Sequence, residues 1–263
     1  MSQEIAVRWK LAEKIAEEAG ALALDYYNKR DSLVIETKRD PQDVVSIADR
    51  NVEKLIREHV TKHFPEDGFL GEEFGLNEGS SGFTWVVDPI DGTSPFVNGM
   101  PNWCVSIAVL QDNDPVIGVI RAPCFDETYS SAKGYGASLN GKALMLDTTR
   151  TVQNGVTGIG SNNYVPPQSV ARTIENLLEL GGNFIRNGSG ALMLAYVAAG
   201  RLVGYYEPYM HAWDCMAGFN LVREAGGYVH PFPVEGELLK KGNKVFAAAP
   251  GAVADLKKVA QLD

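Results

Sequence analysis

Asp88 and Asp91 stand three residues apart at the end of an apolar run, Trp85-Val86-Val87. That run reads as a short buried strand, and Pro89, which cannot donate to a strand ladder, is expected to end it. The two acids then lie on the turn that leaves the strand, where two hard oxygen ligands meet. Gly92 allows close backbone approach, and the amides of Gly92 and Thr93 can receive an anion. Three more acids sit at junctions: Asp49 where a loop meets a helix, Glu72 after a short strand, and Asp214 at a helix start behind His211-Ala212-Trp213. Each has a plainer reading alone: a polar turn for the pair, helix caps for Asp49 and Asp214, a surface acid for Glu72. As a cluster without His or Cys partners, the acids favour Mg²⁺ or Mn²⁺ over zinc. Ions of that kind hold a phosphoryl group, stabilise a leaving oxygen and deprotonate a water.

Rival chemistries find little support. The chain has no dinucleotide fingerprint and no P-loop, and Asn187-Gly188-Ser189-Gly190 breaks the spacing of a nucleophile elbow. His59 and His63 are four apart on a helix with no third ligand in view, so they read as a solvated face.

The elements that must position these residues follow from periodicity. Glu4 to Asn28 is a long amphipathic helix, and Leu33 to Thr37 alternates like a short strand. Lys38 to Val45 reads as a loop, and Ser46 or Asp49 caps a helix that ends before Pro65. Phe69-Leu70 is a short strand. Trp103–Leu110, Val116–Ala122 and Thr128–Ala132 form an antiparallel meander, and Asn140-Gly141 is a hairpin turn. Further on, strands at 155–160, 183–186, 202–206, 228–230 and 245–249 mix with helices at 169–180, 190–199, 214–225 and 252–260. Without a strict βαβ repeat, this predicts an α+β fold: helices layered against two sheets, the first largely antiparallel.

Composition bounds the function. The 263 residues, 45% of them hydrophobic, suffice for one large domain or two lobes. No apolar run approaches a membrane span, and Met1-Ser2-Gln3-Glu4 does not open a signal peptide. Cys104, Cys124 and Cys215 fit neither a zinc pattern nor a disulfide framework, which points to the cytoplasm. A net charge of −9 argues against direct nucleic-acid binding.

Taken together, Trp85-Val86-Val87-Asp88-Pro89-Ile90-Asp91-Gly92-Thr93, Gly71-Glu72-Glu73, Trp213-Asp214 followed by Leu221 to Gly227, and Lys38 with Asp43 and Asp49 resemble the inositol monophosphatase family of Mg²⁺-dependent, lithium-sensitive phosphatases. The resemblance implies a layered αβαβα fold with two sheets sandwiched by helices. It implies a single domain over 1–263, with a metal and catalytic lobe at 1–150 and a substrate lobe at 151–263, and a homodimer. Glu72, Asp88 and the Ile90 carbonyl would hold one ion; Asp88, Asp91 and Asp214 a second; a third, weaker ion would lean on Glu72. Thr93, with Asp49 behind it, would activate the attacking water, so Thr93, Asp49 and Glu72 are the implied catalytic residues. Asp91, Gly92, Thr93, Ser189, Gly190, Glu207 and Asp214 would meet the substrate, with Ser161 nearby.

Departures bear on the substrate. Ser94-Pro95 replaces a common Thr-Asn, and Met193 replaces a frequent Asp or Asn. Asn98 to Trp103 and Arg121-Ala122-Pro123 resemble the histidinol-phosphate phosphatase branch; Ala195 to Arg201 resembles the bacterial inositol monophosphatase branch. The implied activity is therefore Mg²⁺-dependent hydrolysis of a small phosphomonoester, inositol monophosphate first, with histidinol phosphate or another sugar or polyol phosphate as the alternative. An alternative of another class is a protein-binding factor in a transcription or RNA-processing complex.

Overall fold

The computed structural model describes residues 2–30, 35–37, 44–234 and 236–262, with the backbone alone at 35–37 and 44–46. The Lys38 and Asp43 part of the family-like pattern, and Leu33-Val34, lie outside the described residues.

In chain order the elements are α1 (Gln3–Asn28), β1 (Ile35–Thr37), β2 (Val44–Ser46), α2 (Ile47–His63), β3 (Gly68–Gly71), β4 (Gly75–Asn77), β5 (Phe83–Asp91), α3 (Thr93–Val97), β6 (Cys104–Gln111), β7 (Asp114–Ala122), β8 (Glu127–Ala132), β9 (Ala137–Leu139), β10 (Lys142–Leu144) and β11 (Val156–Ile159). There follow α4 (Pro167–Glu179), β12 (Asn183–Ile185), α5 (Gly190–Ala198), β13 (Gly204–Met210), α6 (Ala212–Glu224), β14 (Tyr228–Val229), β15 (Asn243–Ala248) and α7 (Val253–Val259).

An eight-stranded sheet runs β10-β9-β8-β7-β6-β5-β3-β4, and of its pairs only β3–β5 is parallel. A five-stranded mixed sheet runs β12-β11-β13-β15-β14. Side-chain alternation distributes the core into three layers. Trp85 and Val87 of β5 face one way, with Val105, Ile107 and Val109 of β6, against Leu11, Ile15 and Ala19 of α1 and Val52 and Ile56 of α2. Val86, Ala108 and Leu110 face the other way, into a middle layer made by α5 and α6. The second sheet covers that layer with Tyr205, Val245 and Ala247. Its outer face packs Ile159, Val203 and Phe246 against Leu177 of α4 and Leu256 of α7. The order is helices, sheet, helices, sheet, helices. Both faces of each sheet are covered, which is why β5 to β7 read as near-continuous apolar runs rather than strict alternation.

Three local expectations need correction. First, β5 does not stop at Pro89. It continues to Asp91, with Asp88 opposite Ser106 and Asp91 opposite Cys104 on β6. Pro89 and Ile90 thus oppose the single Val105, a bulge in which a missing proline N–H breaks no ladder bond. Second, Val44–Ser46 is a strand antiparallel to β1 instead of part of a loop. Third, β13 extends past Tyr206 to Met210 and shifts register after Glu207.

Candidate active site

The bulge in β5 is what aims the two acids. Asp88 is 2% exposed and accepts the Ile90 amide at 2.9 Å on Oδ1. Asp91, 7% exposed, closes the strand on the same side of the molecule as the start of α5. Its Oδ2 accepts the Ser189 hydroxyl at 2.5 Å and the Ala191 amide at 2.7 Å. Gly92 then turns the chain with φ 93°, the left-handed region. A Cβ there would lie 2.8 Å from the Asn102 carbonyl oxygen and 3.0 Å from Ser189 Cβ, so only glycine fits. Thr93 opens the short helix α3 directly after it.

Asp214 arrives from the far side of the middle layer, in the first turn of α6. It is not the cap residue itself. His211 occupies that position, and the Asp214 carboxylate accepts the His211 amide at 2.9 Å. Oxygen atoms of Asp88, Asp91 and Asp214 all lie within 4.8 Å of one another. Glu72 lines the same cleft and its charge bears on all three. Asp49, 1% exposed in the first turn of α2, stands behind Thr93. The Thr93 hydroxyl is 3.4 Å from Asp49 Oδ1 and 3.2 Å from the Ile90 carbonyl oxygen.

This concentration of buried acids sets the electrostatics. Burial first, then the neighbouring charges of Glu72, Asp91, Asp214 and Asp49, hold Asp88 well above the usual carboxylate range. Burial also raises Asp91, to about 6, against the lowering by its bonds from Ser189 and Ala191. Asp214 is raised by burial and by Asp91 and Glu72. Carboxylates that resist ionising together are stabilised by a divalent cation. Cys104 Sγ lies 3.8 Å from Asp91 Oδ2, where burial and the nearby acids push its thiol well up and so disfavour the thiolate that a soft ligand needs. The donors that remain are hard oxygens, which fit Mg²⁺.

All the site residues expected from sequence line one cleft of about 790 Å³ except Asp49, which reaches it through Thr93. Ser161 and Met193 line it too. Glu207 sits opposite the acids; burial raises its carboxyl, eased by bonds from Tyr205 and Asn162. Asn162 Nδ2 donates to Glu207 Oε1 at 2.9 Å, and the Tyr205 hydroxyl donates to Oε2.

Several contributions escaped sequence reasoning. Ser189, expected as a substrate contact, donates its hydroxyl to Asp91 and so orients a candidate metal ligand. Glu53, fully buried on α2, accepts the Glu73 amide at 2.7 Å and the Phe74 amide at 3.3 Å, which fixes the turn carrying Glu72. A Cβ at Gly71 would come within 2.1 Å of Glu53 Oε1 and push that carboxylate off the turn. Asn162, Tyr164, Tyr209 and His211 also line the cleft. The tyrosines around Glu207, at 205, 206 and 209, are the one available signal.

Residues 6–261 match the inositol monophosphatase family. Among curated proteins, the chain is 37% identical over 246 residues to the Nus factor SuhB of Haemophilus influenzae, covering 92% of this chain and 91% of that one. It is 38% identical over 210 residues to the inositol-1-monophosphatase of Rhizobium meliloti, covering 79% of each. It is 34% identical over 218 residues to the histidinol-phosphatase of Chlorobaculum parvum, covering 83% of each. The crystal structure of the extragenic suppressor protein SuhB from Bartonella henselae superposes with a TM-score of 0.89 at 32% identity, covering 97% of this chain and 98% of that one.

Proposed function

Because the chain belongs to the inositol monophosphatase family, and is thereby a phosphoric monoester hydrolase, we propose that it hydrolyses a small phosphomonoester with Mg²⁺, inositol monophosphate first among its substrates. The observation that carries this reading is the trio of acids within 4.8 Å of one another, in a cleft with a hydroxyl and carboxylate behind it. Glu72, Asp88 and the Ile90 carbonyl would hold one ion, Asp88, Asp91 and Asp214 a second, and Glu72 would support a third. Two or three Mg²⁺ ions, or Mn²⁺ in their place, would supply positive charge for the phosphoryl oxygens and make a nearby water more acidic.

The chain's own groups do the rest. Thr93 orients the attacking water, and Asp49, 3.4 Å behind the hydroxyl, takes up its proton. The amides of Gly92 and Thr93 hold phosphate oxygens. Glu207 accepts a hydroxyl of the alcohol portion on lone pairs that Asn162 and Tyr205 leave open. The water oxygen bonds to phosphorus and the ester P–O bond breaks. The proton taken up by Asp49 is released again and ends on the leaving alcohol, and the other water proton stays on the phosphate.

The Chlorobaculum relative supports histidinol phosphate as the second substrate. The Haemophilus relative supports a partner role in transcription, which a pull-down retained by a metal-site variant would favour. A cytoplasmic homodimer belongs to the same proposal, which the family resemblance supports. Among the described residues no helix is long and apolar enough to cross a membrane.

The test is phosphate release from inositol 1-phosphate by the purified protein. Release is expected to require Mg²⁺, to be inhibited by lithium, and to disappear in Asp91→Asn. In Thr93→Ala, kcat is expected to fall about 100-fold or more. If no polyol or amino-alcohol phosphate is hydrolysed with Mg²⁺ present, the reading is wrong.

A further inference from the structure

A second cavity lies away from the acids. It measures about 480 Å³ and is walled by the turn after β10, the end of α5, and the segments just before β13 and just after β15. It shares no lining residue with the active-site cleft. The two stand at opposite ends of one helix. α5 starts at Ser189 and Gly190, beside Asp91, and runs out at Ala199 and Gly200, in the wall of this cavity. Its nine residues, at about 1.5 Å each, put roughly 13 Å between them.

Apolar groups make most of the wall: Leu146, Ala199, Leu202, Val203 and Ala249, with Met145, 91% exposed, at the rim. Backbone bonds fix that wall. The Leu146 amide donates to the Ala225 carbonyl, Val203 to Val156 and Ala249 to Val203, each at 2.9 Å. One cation enters this space, the half-buried Arg150. Its Nε is shut off from solvent without a hydrogen-bond partner, and among the described residues no hydrogen bond or ion pair reaches its guanidinium. Arg8, Arg57 and Arg121, likewise withdrawn from water, each hold a carboxylate. The acid three residues from Arg150 does not serve it. Asp147 Oδ1 is turned onto Thr149, whose amide and hydroxyl donate to it at 2.8 and 2.7 Å.

We propose that this cavity binds a small aliphatic carboxylate, with its anion on Arg150 and its tail on Leu146, Leu202 and Val203. A partly desolvated guanidinium without a partner lacks compensation, and its planar fork matches a carboxylate with two parallel bonds. The charge balance selects a monoanion. Asp147 at the rim and the terminal carbonyls of α5 already add negative charge, so the second charge of a dianion would go unanswered. The apolar wall selects a short hydrocarbon tail behind the anion. The site stands apart from the phosphatase reading, since the two cavities have no residue in common.

The experiment titrates the purified chain at pH 7, in chelator, with hexanoate, acetate, 1-hexanol and inorganic phosphate, followed by calorimetry and by amide chemical shifts. Hexanoate is expected to bind with a Kd of about 1 mM or below. Acetate, which lacks the tail, and hexanol, which lacks the charge, are expected to bind at least about tenfold more weakly. Arg150→Met keeps an apolar stem without the charge and is expected to weaken hexanoate at least about tenfold, with Arg150→Lys, which keeps the charge without the fork, in between. The shifts place the site without any variant: hexanoate is expected to move the amides of Leu146, Gly200, Val203 and Ala249 and to leave those of Gly92 and Thr93 in place. Phosphate that moves the same amides with a lower Kd than hexanoate overturns the choice of a carboxylate. No saturable hexanoate binding, equal affinity in Arg150→Met, or shifts centred on Gly92 and Thr93 overturns the site, and Arg150 then only offsets the negative end of α5.

Discussion

Replacing Asp91 by asparagine tests the electrostatic design of the acid cluster apart from catalysis. In the metal-free protein Asp91 is held at about 6 against an ordinary 3.8. A folded-state value above the unfolded one means that folding favours the protonated form. The contribution of Asp91 is then fully present below pH 3.8 and is lost as pH rises through about 6. At roughly 1.4 kcal/mol for each unit of the difference, ionising Asp91 costs on the order of 3 kcal/mol by neutral pH. Asp91→Asn removes the charge and keeps an oxygen that accepts from Ser189 and Ala191. Urea unfolding in chelator is therefore expected to find the variant and wild type similar at pH 4. At pH 8 the variant is expected to be more stable by up to about 3 kcal/mol, a Tm difference of roughly 6–12 °C in a chain of this size. Mg²⁺ is expected to reverse the order at pH 8, since only the wild type keeps the full ligand set and gains from binding. Comparing two proteins at each pH cancels groups of opposite sign elsewhere, such as Asp67 and Glu127, whose lowered values make stability fall with acid. A variant that in chelator is no more stable than wild type at pH 8, or a difference that does not grow with pH, would refute the reasoning.

Two further perturbations probe the frame around the site. Glu53→Gln keeps the size of the side chain but weakens its hold on the Glu73 and Phe74 amides; calorimetric Mg²⁺ affinity is expected to fall about tenfold, and an unchanged titration would mean that Glu72 needs no such support. Arg8→Met strands Asp67, whose carboxylate is 1% exposed and takes two Arg8 bonds at 2.8 and 2.7 Å with others from Trp85 and Ser81. Urea unfolding at pH 7 should then show a loss of about 3–5 kcal/mol, and a loss below 1 kcal/mol would show that water relieves the unpaired acid.

The acids are legible in the sequence and their supports are not, for one physical reason. Metal-seeking carboxylates announce themselves by residue type at element ends, and the apolar runs of β5 to β7 announce a sheet covered on both faces. What a side chain does when its partner is distant in sequence leaves no local mark. Glu53 looks like one more acid on an amphipathic helix, yet the turn after β3 puts two backbone amides onto it. Ser189 lies 98 residues from Asp91, and only the packing of α5 under β5 makes its hydroxyl the bond that orients that acid. Pro89 misled for the opposite reason: the local rule is sound, but a bulge supplies the unpaired position the rule demands, so the strand runs on. The stack of Tyr164 on Tyr209 combines both cases. Tyr209 sits two residues beyond Glu207, inside the register shift of β13, and Tyr164 stacks on it from a loop in another part of the chain. Its geometry depends on strand irregularity and on the Asn162 tie together. The contacts around Glu207 are therefore the ones least visible in sequence, while the acids that mark the family are the most visible.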